Sequence, residues 1–209
     1  MKIISLVGQK GGGGKTTIAI NLAVEAVANG QKVALLDLDP QASAADWGDG
    51  REEGSAPSVS SVQHSRLVKV LAAAKKTGST LAIIDTAGKL DEAAITAIDA
   101  ADLCLVPLRP FLPDMNTLKG ARKLLHAASR KPPAFIVINT APPQDQAITN
   151  DAIAAAENFG FDVCPVVIRQ WRVVTNAWLY SQGVSEYDPE SKAAEDFAAL
   201  YAFTMNPKK

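Results

Sequence analysis

The sequence predicts an α/β fold: a doubly wound, mostly parallel sheet with helices on both faces. Three observations carry this. Short β-branched apolar runs recur along the chain, alanine-rich stretches suited to helices separate them, and the first run opens into a glycine-rich loop. At 209 residues the chain falls within the range of one domain with its own core, so residues 1–209 are expected to form a single domain.

Six runs read as strands: Ile3–Val7, Val33–Leu38, Leu81–Asp85, Leu103–Leu108, Phe135–Asn139 and Val163–Ile168. They are continuously apolar and do not alternate, as strands covered on both faces of a parallel sheet should be. Helices are expected at about Thr16–Asn29, Leu67–Thr77, Glu92–Ala100, Thr117–Ser129, Ile148–Asn158 and Glu190–Thr204, the first stopping at Gly30. Gly48–Ser61, rich in Gly, Ser, Pro and acids, reads as a surface loop. In such a sheet, ligands bind at the carboxyl ends of the strands.

Composition narrows the function classes. With 47% apolar and 21% charged residues the chain is globular, and a net charge of −1 gives no global pull toward nucleic acid or membrane. Any such contact needs a local patch. Cys104 and Cys164 lie in apolar runs without a metal-ligand spacing and are expected as buried strand residues. The start shows no signal-peptide pattern and no run approaches a membrane span, so the expected location is the cytoplasm. His64 and His126 stand alone, and surface or packing roles suit them.

The chemistry begins at Gln9-Lys10-Gly11-Gly12-Gly13-Gly14-Lys15-Thr16-Thr17, between a strand and a helix. Glycines let backbone N–H groups turn toward phosphate oxygens, and the new helix adds its positive end. Lys15 supplies a cation for the β- and γ-phosphates, and the Thr16 hydroxyl is placed to ligate Mg²⁺. Gly11, Gly12, Gly13, Gly14, Lys15, Thr16 and Thr17 are thus the candidate nucleotide-binding residues. The strict phosphate-loop pattern requires a glycine five residues before Gly14, where this chain has Gln9. The run Leu81–Asp85 ends in an acid, as a strand does when its carboxylate holds Mg²⁺ through water, which makes Asp85 a metal candidate.

Lys-Gly-Gly-x-Gly-Lys-Thr-Thr, with its extra Lys10, resembles the deviant loop of the ParA/MinD family of dimeric ATPases. Asp37-Leu38-Asp39-Pro40-Gln41 resembles that family's Asp-x-Asp-Pro-Gln segment. The resemblance implies ATP and Mg²⁺ as ligands, Asp37 near the Mg²⁺ shell, and Asp39 positioning the attacking water. It also implies that Lys10 reaches across a homodimer to the partner's nucleotide, so that Lys10, Lys15 and Asp39 form the catalytic set. No guanine-reading Asn-Lys-x-Asp or Thr-Lys-x-Asp stands on a late strand, which favours adenine. Asn139 resembles the position of an adenine-contacting group, and it equally suits a strand-end cap before Pro142. Many relatives have Pro-Pro or Pro-Gly at Ala87-Gly88, where the Gly88 N–H is a candidate contact to the γ-phosphate.

Near the end, Ile168-Arg169-Gln170-Trp171-Arg172 and Gly183–Asp196 are also ParA-like. There the resemblance implies sequence-independent DNA binding by Arg169 and Arg172. Two such arginines per protomer of a dimer imply a log–log salt slope of roughly −3 to −4. Lys119, Arg122 and Lys123 share a helix face and read as solvated. Trp171 and Trp178 suit a core or dimer interface better than base stacking.

The chain is most similar to short ParA-type partition ATPases without an N-terminal helix-turn-helix. A small centromere-binding or cargo-adaptor protein is therefore the expected partner, and the nucleoid the expected place of work. A MinD-like membrane-cycling ATPase is the alternative, but Ser191–Met205 lacks the basic amphipathic character of a lipid-surface helix, so no membrane is expected. An ATP-dependent amide ligase of the same fold is the other rival, though such ligases usually lack Lys10.

Overall fold

In this computed structural model, which describes residues 1–9, 12–88 and 91–207, each predicted apolar run contributes to a strand. In chain order the elements are β1 (Lys2–Leu6), α1 (Lys15–Ala28), β2 (Val33–Asp37), α2 (Ser43–Asp49), β3 (Ser58–Ser61), α3 (Leu67–Lys76), β4 (Leu81–Asp85), α4 (Glu92–Ala100) and β5 (Leu103–Leu108). Then follow α5 (Leu112–Met115), α6 (Leu118–Ala127), β6 (Ala134–Ala141), α7 (Gln146–Asn158), β7 (Asp162–Val163), β8 (Ile168–Arg169), α8 (Arg172–Leu179), α9 (Val184–Tyr187) and α10 (Lys192–Met205). The sheet order is β3-β2-β4-β1-β5-β6-β7, with β8 pairing β6, and every pairing is parallel.

Apolar residues fill both faces because both are covered. Ile4, Leu6, Leu35, Ile83, Leu105 and Val137 point into one cluster with α1 and α10. Alternate positions on the same strands enter two clusters on the other side: Cys104, Val106 and Ile136 meet α4, α6 and α7, while Leu36 and Ile84 meet α3 and α4. Ser5 is the buried polar exception on β1, and its hydroxyl donates to the Ala97 carbonyl at 2.8 Å. In α10, Phe197, Leu200 and Tyr201 are buried against the sheet.

Two expectations change. Gly48–Ser61 is not one loop: α2 runs to Asp49 and Ser58–Ser61 form the edge strand β3, in register with Ala34–Asp37. Val163–Ile168 is not one strand. It breaks after Val163: the Cys164 N–H still donates to the Ile136 carbonyl at 2.8 Å, but Pro165 has no N–H to offer, and pairing resumes only at Ile168. Cys104 is a buried strand residue, whereas Cys164 is buried but lies in that break.

Candidate functional site

The carboxyl edge of the sheet gathers the predicted residues. β1 ends at Leu6 beside Asp85 of β4, and Asp85 is the register partner of Asp37 on β2. α1 begins after Gly14, whose φ of +89° suits glycine. A Cβ there would stand 2.0 Å from Asn139 Nδ2, so both the dihedral and the space exclude a side chain. The Asn139 amide donates to the Gly13 carbonyl at 2.9 Å. Asn139 thus ties the loop to β6.

Lys10 and Gly11 lie outside the described residues, as does Lys89 beside Gly88, so the trans role implied for Lys10 has no geometry here. Gln9, the departure from the strict pattern, lies against α6, where a Cβ on Gly120 would meet its Oε1 at 1.6 Å. That close approach accounts for a glycine inside a helix.

Lys15 opens α1 and is buried; desolvation lowers its pKa, and the charges of Asp85 and Asp39 oppose the shift. Thr16 and Thr17, in the same first turn, are half-buried. The aspartates divide sharply. Asp37 is saturated: Oδ2 accepts from the Ala44 and Ala45 N–H groups at 2.8 and 3.1 Å, and Oδ1 from the Asp39 N–H at 2.9 Å. It therefore holds both the start of α2 and the bend before Pro40. Burial raises its pKa, and these N–H groups partly relieve the shift. Asp39 is half-exposed and its Oδ1 accepts from the Gln41 N–H at 3.0 Å, which sets the turn.

Asp85 is the opposite case. It is fully buried, and neither carboxylate oxygen accepts a well-formed hydrogen bond among the described residues. Desolvation pushes its pKa up to about 7, against the pull of the neighbouring Thr16 hydroxyl and Lys15 ammonium. A buried carboxylate with unbonded oxygens, close to a hydroxyl, is a donor set for a hard, oxygen-seeking cation. Mg²⁺ fits it. Thr86, next in the chain, ties this edge together by donating to the Leu6 carbonyl at 2.8 Å.

Beside the loop lies a cavity of about 240 Å³, bounded by Gly12, Gly14, Thr17, Asn139, Thr140 and the stretch Ile168–Trp171. Arg169 lies here, its Nη1 3.0 Å from Asp196 Oδ1, while Arg172 is exposed at the start of α8. Trp171 packs partly buried against the core, and Trp178 is 36% exposed. On α6, Lys119, Arg122 and Lys123 are exposed, with Arg122 donating to the Phe159 carbonyl at 2.7 Å.

Two features escaped the sequence reading. Arg109 on the loop after β5 forms a two-pronged pair with buried Asp114 at 2.6 and 3.2 Å, against the far side of the phosphate loop. Asp196 is the other. Neither lies in a local pattern that sets it apart from a solvated charge.

The nucleotide-binding domain described as CobQ/CobB/MinD/ParA matches residues 4–177, the stretch that holds every element of this edge up to α8. The chain belongs to the CobQ/CobB/MinD/ParA nucleotide-binding family. Within that family, ParA of Rhizobium radiobacter is 33% identical over 207 residues, spanning 99% of the chain and 85% of that protein. The maintenance of carboxysome distribution protein A of Gloeobacter kilaueensis is 35% identical over 119 residues, 56% of the chain, and the match spans about half, 53%, of that relative. The fold matches the septum site-determining protein MinD of Pyrococcus horikoshii, solved with Mg-ADP. Its TM-score is 0.75 at 21% identity, covering 98% of the chain and 96% of that structure. The doubly wound parallel sheet is therefore the ParA/MinD fold.

Proposed function

We propose that this chain is a ParA-type ATPase: it binds ATP with Mg²⁺, dimerises when loaded, binds DNA without sequence preference, and uses hydrolysis to position a plasmid, chromosome or other cargo. One observation carries the reading: the buried carboxylate of Asp85, whose oxygens accept no well-formed hydrogen bond among the described residues, lies at the carboxyl edge where a glycine loop enters α1 beside buried Lys15.

On this reading the N–H groups of Gly11, Gly12, Gly13 and Gly14 cradle the phosphates, and Lys15 neutralises the β- and γ-oxygens. Thr16 and Asp85 would hold Mg²⁺. Bound there, the ion would offset charge that develops on the phosphoryl oxygens. Asp37 serves that shell at one remove, because its oxygens position the turn that carries Asp39. Asp39 orients the attacking water. Asn139 joins the phosphate loop to the cavity beside it, which takes the adenine, and Thr17 lies on the border between them. Lys10 reaches the nucleotide of the facing protomer, so ATP ties the dimer and hydrolysis loosens it. Arg172 contacts DNA, with Arg169 behind it, and a small adaptor protein supplies the cargo. The relative named ParA and the Mg-ADP-bound MinD structure support this reading.

Calorimetry with ATP and Mg²⁺, followed by phosphate release with and without DNA, tests it. Uptake of adenine nucleotide and faster turnover on DNA are expected; no uptake would sink the proposal. An amide ligase would not turn over faster on DNA, and flotation on liposomes with ATP would instead point to membrane cycling.

A further inference from the structure

One wall of the cavity is the stretch Ile168–Trp171, which has little strand pairing of its own. β8 is two residues long and meets β6 across a register shift between Asn139 and Ala141, with Thr140 between them at φ +58°. A pairing this short contributes little order of its own.

Asp196 of α10 supplies the missing restraint. Its Oδ2 accepts from the Arg169 backbone N–H and from Trp171 Nε1, each at 3.1 Å, and its Oδ1 accepts from Arg169 Nη1 at 3.0 Å. One carboxylate therefore grips the residues on both sides of Gln170, whose own N–H donates to the Ala141 carbonyl at 2.8 Å. The Asp196 side chain is only 12% exposed, so the carboxylate that makes these bonds is itself largely buried, while the Arg169 side chain remains 39% exposed. Phe197, the next residue, is buried and lines the cavity.

We propose that Asp196 is a positioning residue that sets the shape of this cavity and so decides which purine base the site accepts. The inference rests on the reading of the cavity as the seat of the nucleotide's base. Base discrimination requires polar groups fixed to a few tenths of an ångström, since an unmatched buried donor or acceptor is what rejects the wrong base. Phosphate binding has separate supports: the Asn139 clamp on Gly13 and the first turn of α1. Loosening Asp196 therefore relaxes base selectivity and leaves phosphate affinity in place.

Asp196→Asn keeps the shape but removes the charge and one of the two acceptors. Affinities for ATP, GTP and inorganic tripolyphosphate, each with Mg²⁺, are measured by calorimetry for the wild type and the variant. The expected result is a wild-type preference for ATP over GTP that falls about tenfold in the variant, with tripolyphosphate affinity changed less than about twofold. Equal weakening of all three ligands, or an unchanged ATP-to-GTP ratio, overturns the proposal. Should Asp196→Asn fail to fold, Trp171→Phe removes a single donor and is judged by the same criteria, with about a threefold fall expected. A wild type that binds tripolyphosphate but does not distinguish ATP from GTP overturns the inference alone. One that binds none of the three removes the nucleotide reading beneath it.

Discussion

Asp37 and Asp85 sit side by side and both are buried, yet among the described residues only the first accepts well-formed hydrogen bonds, and the difference can be measured. An unfolded aspartate releases its proton near 3.8, whereas folded Asp85 holds one up to about 7. Between those values the folded state binds more protons than the unfolded, so this group's contribution to stability falls as pH rises through the window. Asp85→Asn should remove that slope. Denaturation of the nucleotide-free protein should find the variant more stable than wild type above pH 7, by about 1–3 kcal/mol, and no better near pH 4. Mg²⁺-dependent ATP affinity should fall by roughly 10- to 100-fold in the same variant. A wild-type slope that survives the substitution contradicts the assignment. Gly14→Ala tests the loop. Its left-handed dihedral costs an alanine about 1–2 kcal/mol, and the Asn139 amide collides with the new methyl. Asn139→Ala in the same chain removes the collision but not the strain, so the double variant should recover part of the loss; strictly additive costs would rule the clamp out. The sequence already displayed Lys15, Thr16 and the glycines, because their chemistry is local and ordered. It could not display the bonding of Asp37 to α2 or of Asp196 to the far wall, since both depend on tertiary contacts.

The predicted strands emerged where apolar character alone decided, and went astray where long-range pairing did. Nothing in Gly48–Ser61 suggests a strand, because its order is borrowed. A Cβ on Gly48 would stand 2.7 Å from Val59, so α2 lies almost directly on β3. Arg51 fastens the connection between them: its two Nη groups bond both Glu186 oxygens at 2.9 and 2.7 Å and the carbonyls of Ser181 and Ala56, while its guanidinium lies 4.7 Å from the Trp47 ring. Burial alone would raise the Glu186 pKa, but the hydrogen bonds and charge of Arg51, with the Gly183 N–H, overcome that and leave it lowered. The pair therefore stabilises the protein above the ordinary glutamate range and loses that effect as pH falls through it. Arg51→Ala leaves Glu186 short of its cation, and a loss of about 3 kcal/mol is expected in chemical denaturation, with faster protease cleavage in residues 50–57. Cleavage at the wild-type rate would mean that the edge strand holds itself.

Assembly is where the two ends of the chain meet the same test. The resemblance offers both Arg169 and Arg172 to DNA, but the structure ties the first to Asp196 at 3.0 Å and leaves the second exposed. If each free arginine of an ATP-loaded dimer neutralises one phosphate, two contacts replace four, and the log affinity for duplex DNA should fall against log salt with a slope of about −2. Arg172→Ala should remove most of that slope and leave ATP affinity alone. Arg169→Ala should disturb ATP affinity more than the slope, because it strips a donor from the cavity wall. Lys10→Ala acts one step earlier: it should keep ATP binding, abolish ATP-dependent dimers in light scattering, and halve the salt slope by leaving monomers with a single contact. Fluorescence anisotropy across a salt series, run on all three variants with ATP and with ADP, separates these roles. A slope near −4 that Arg169→Ala halves would return Arg169 to the DNA surface, and a Lys10→Ala dimer would break the link between nucleotide and assembly.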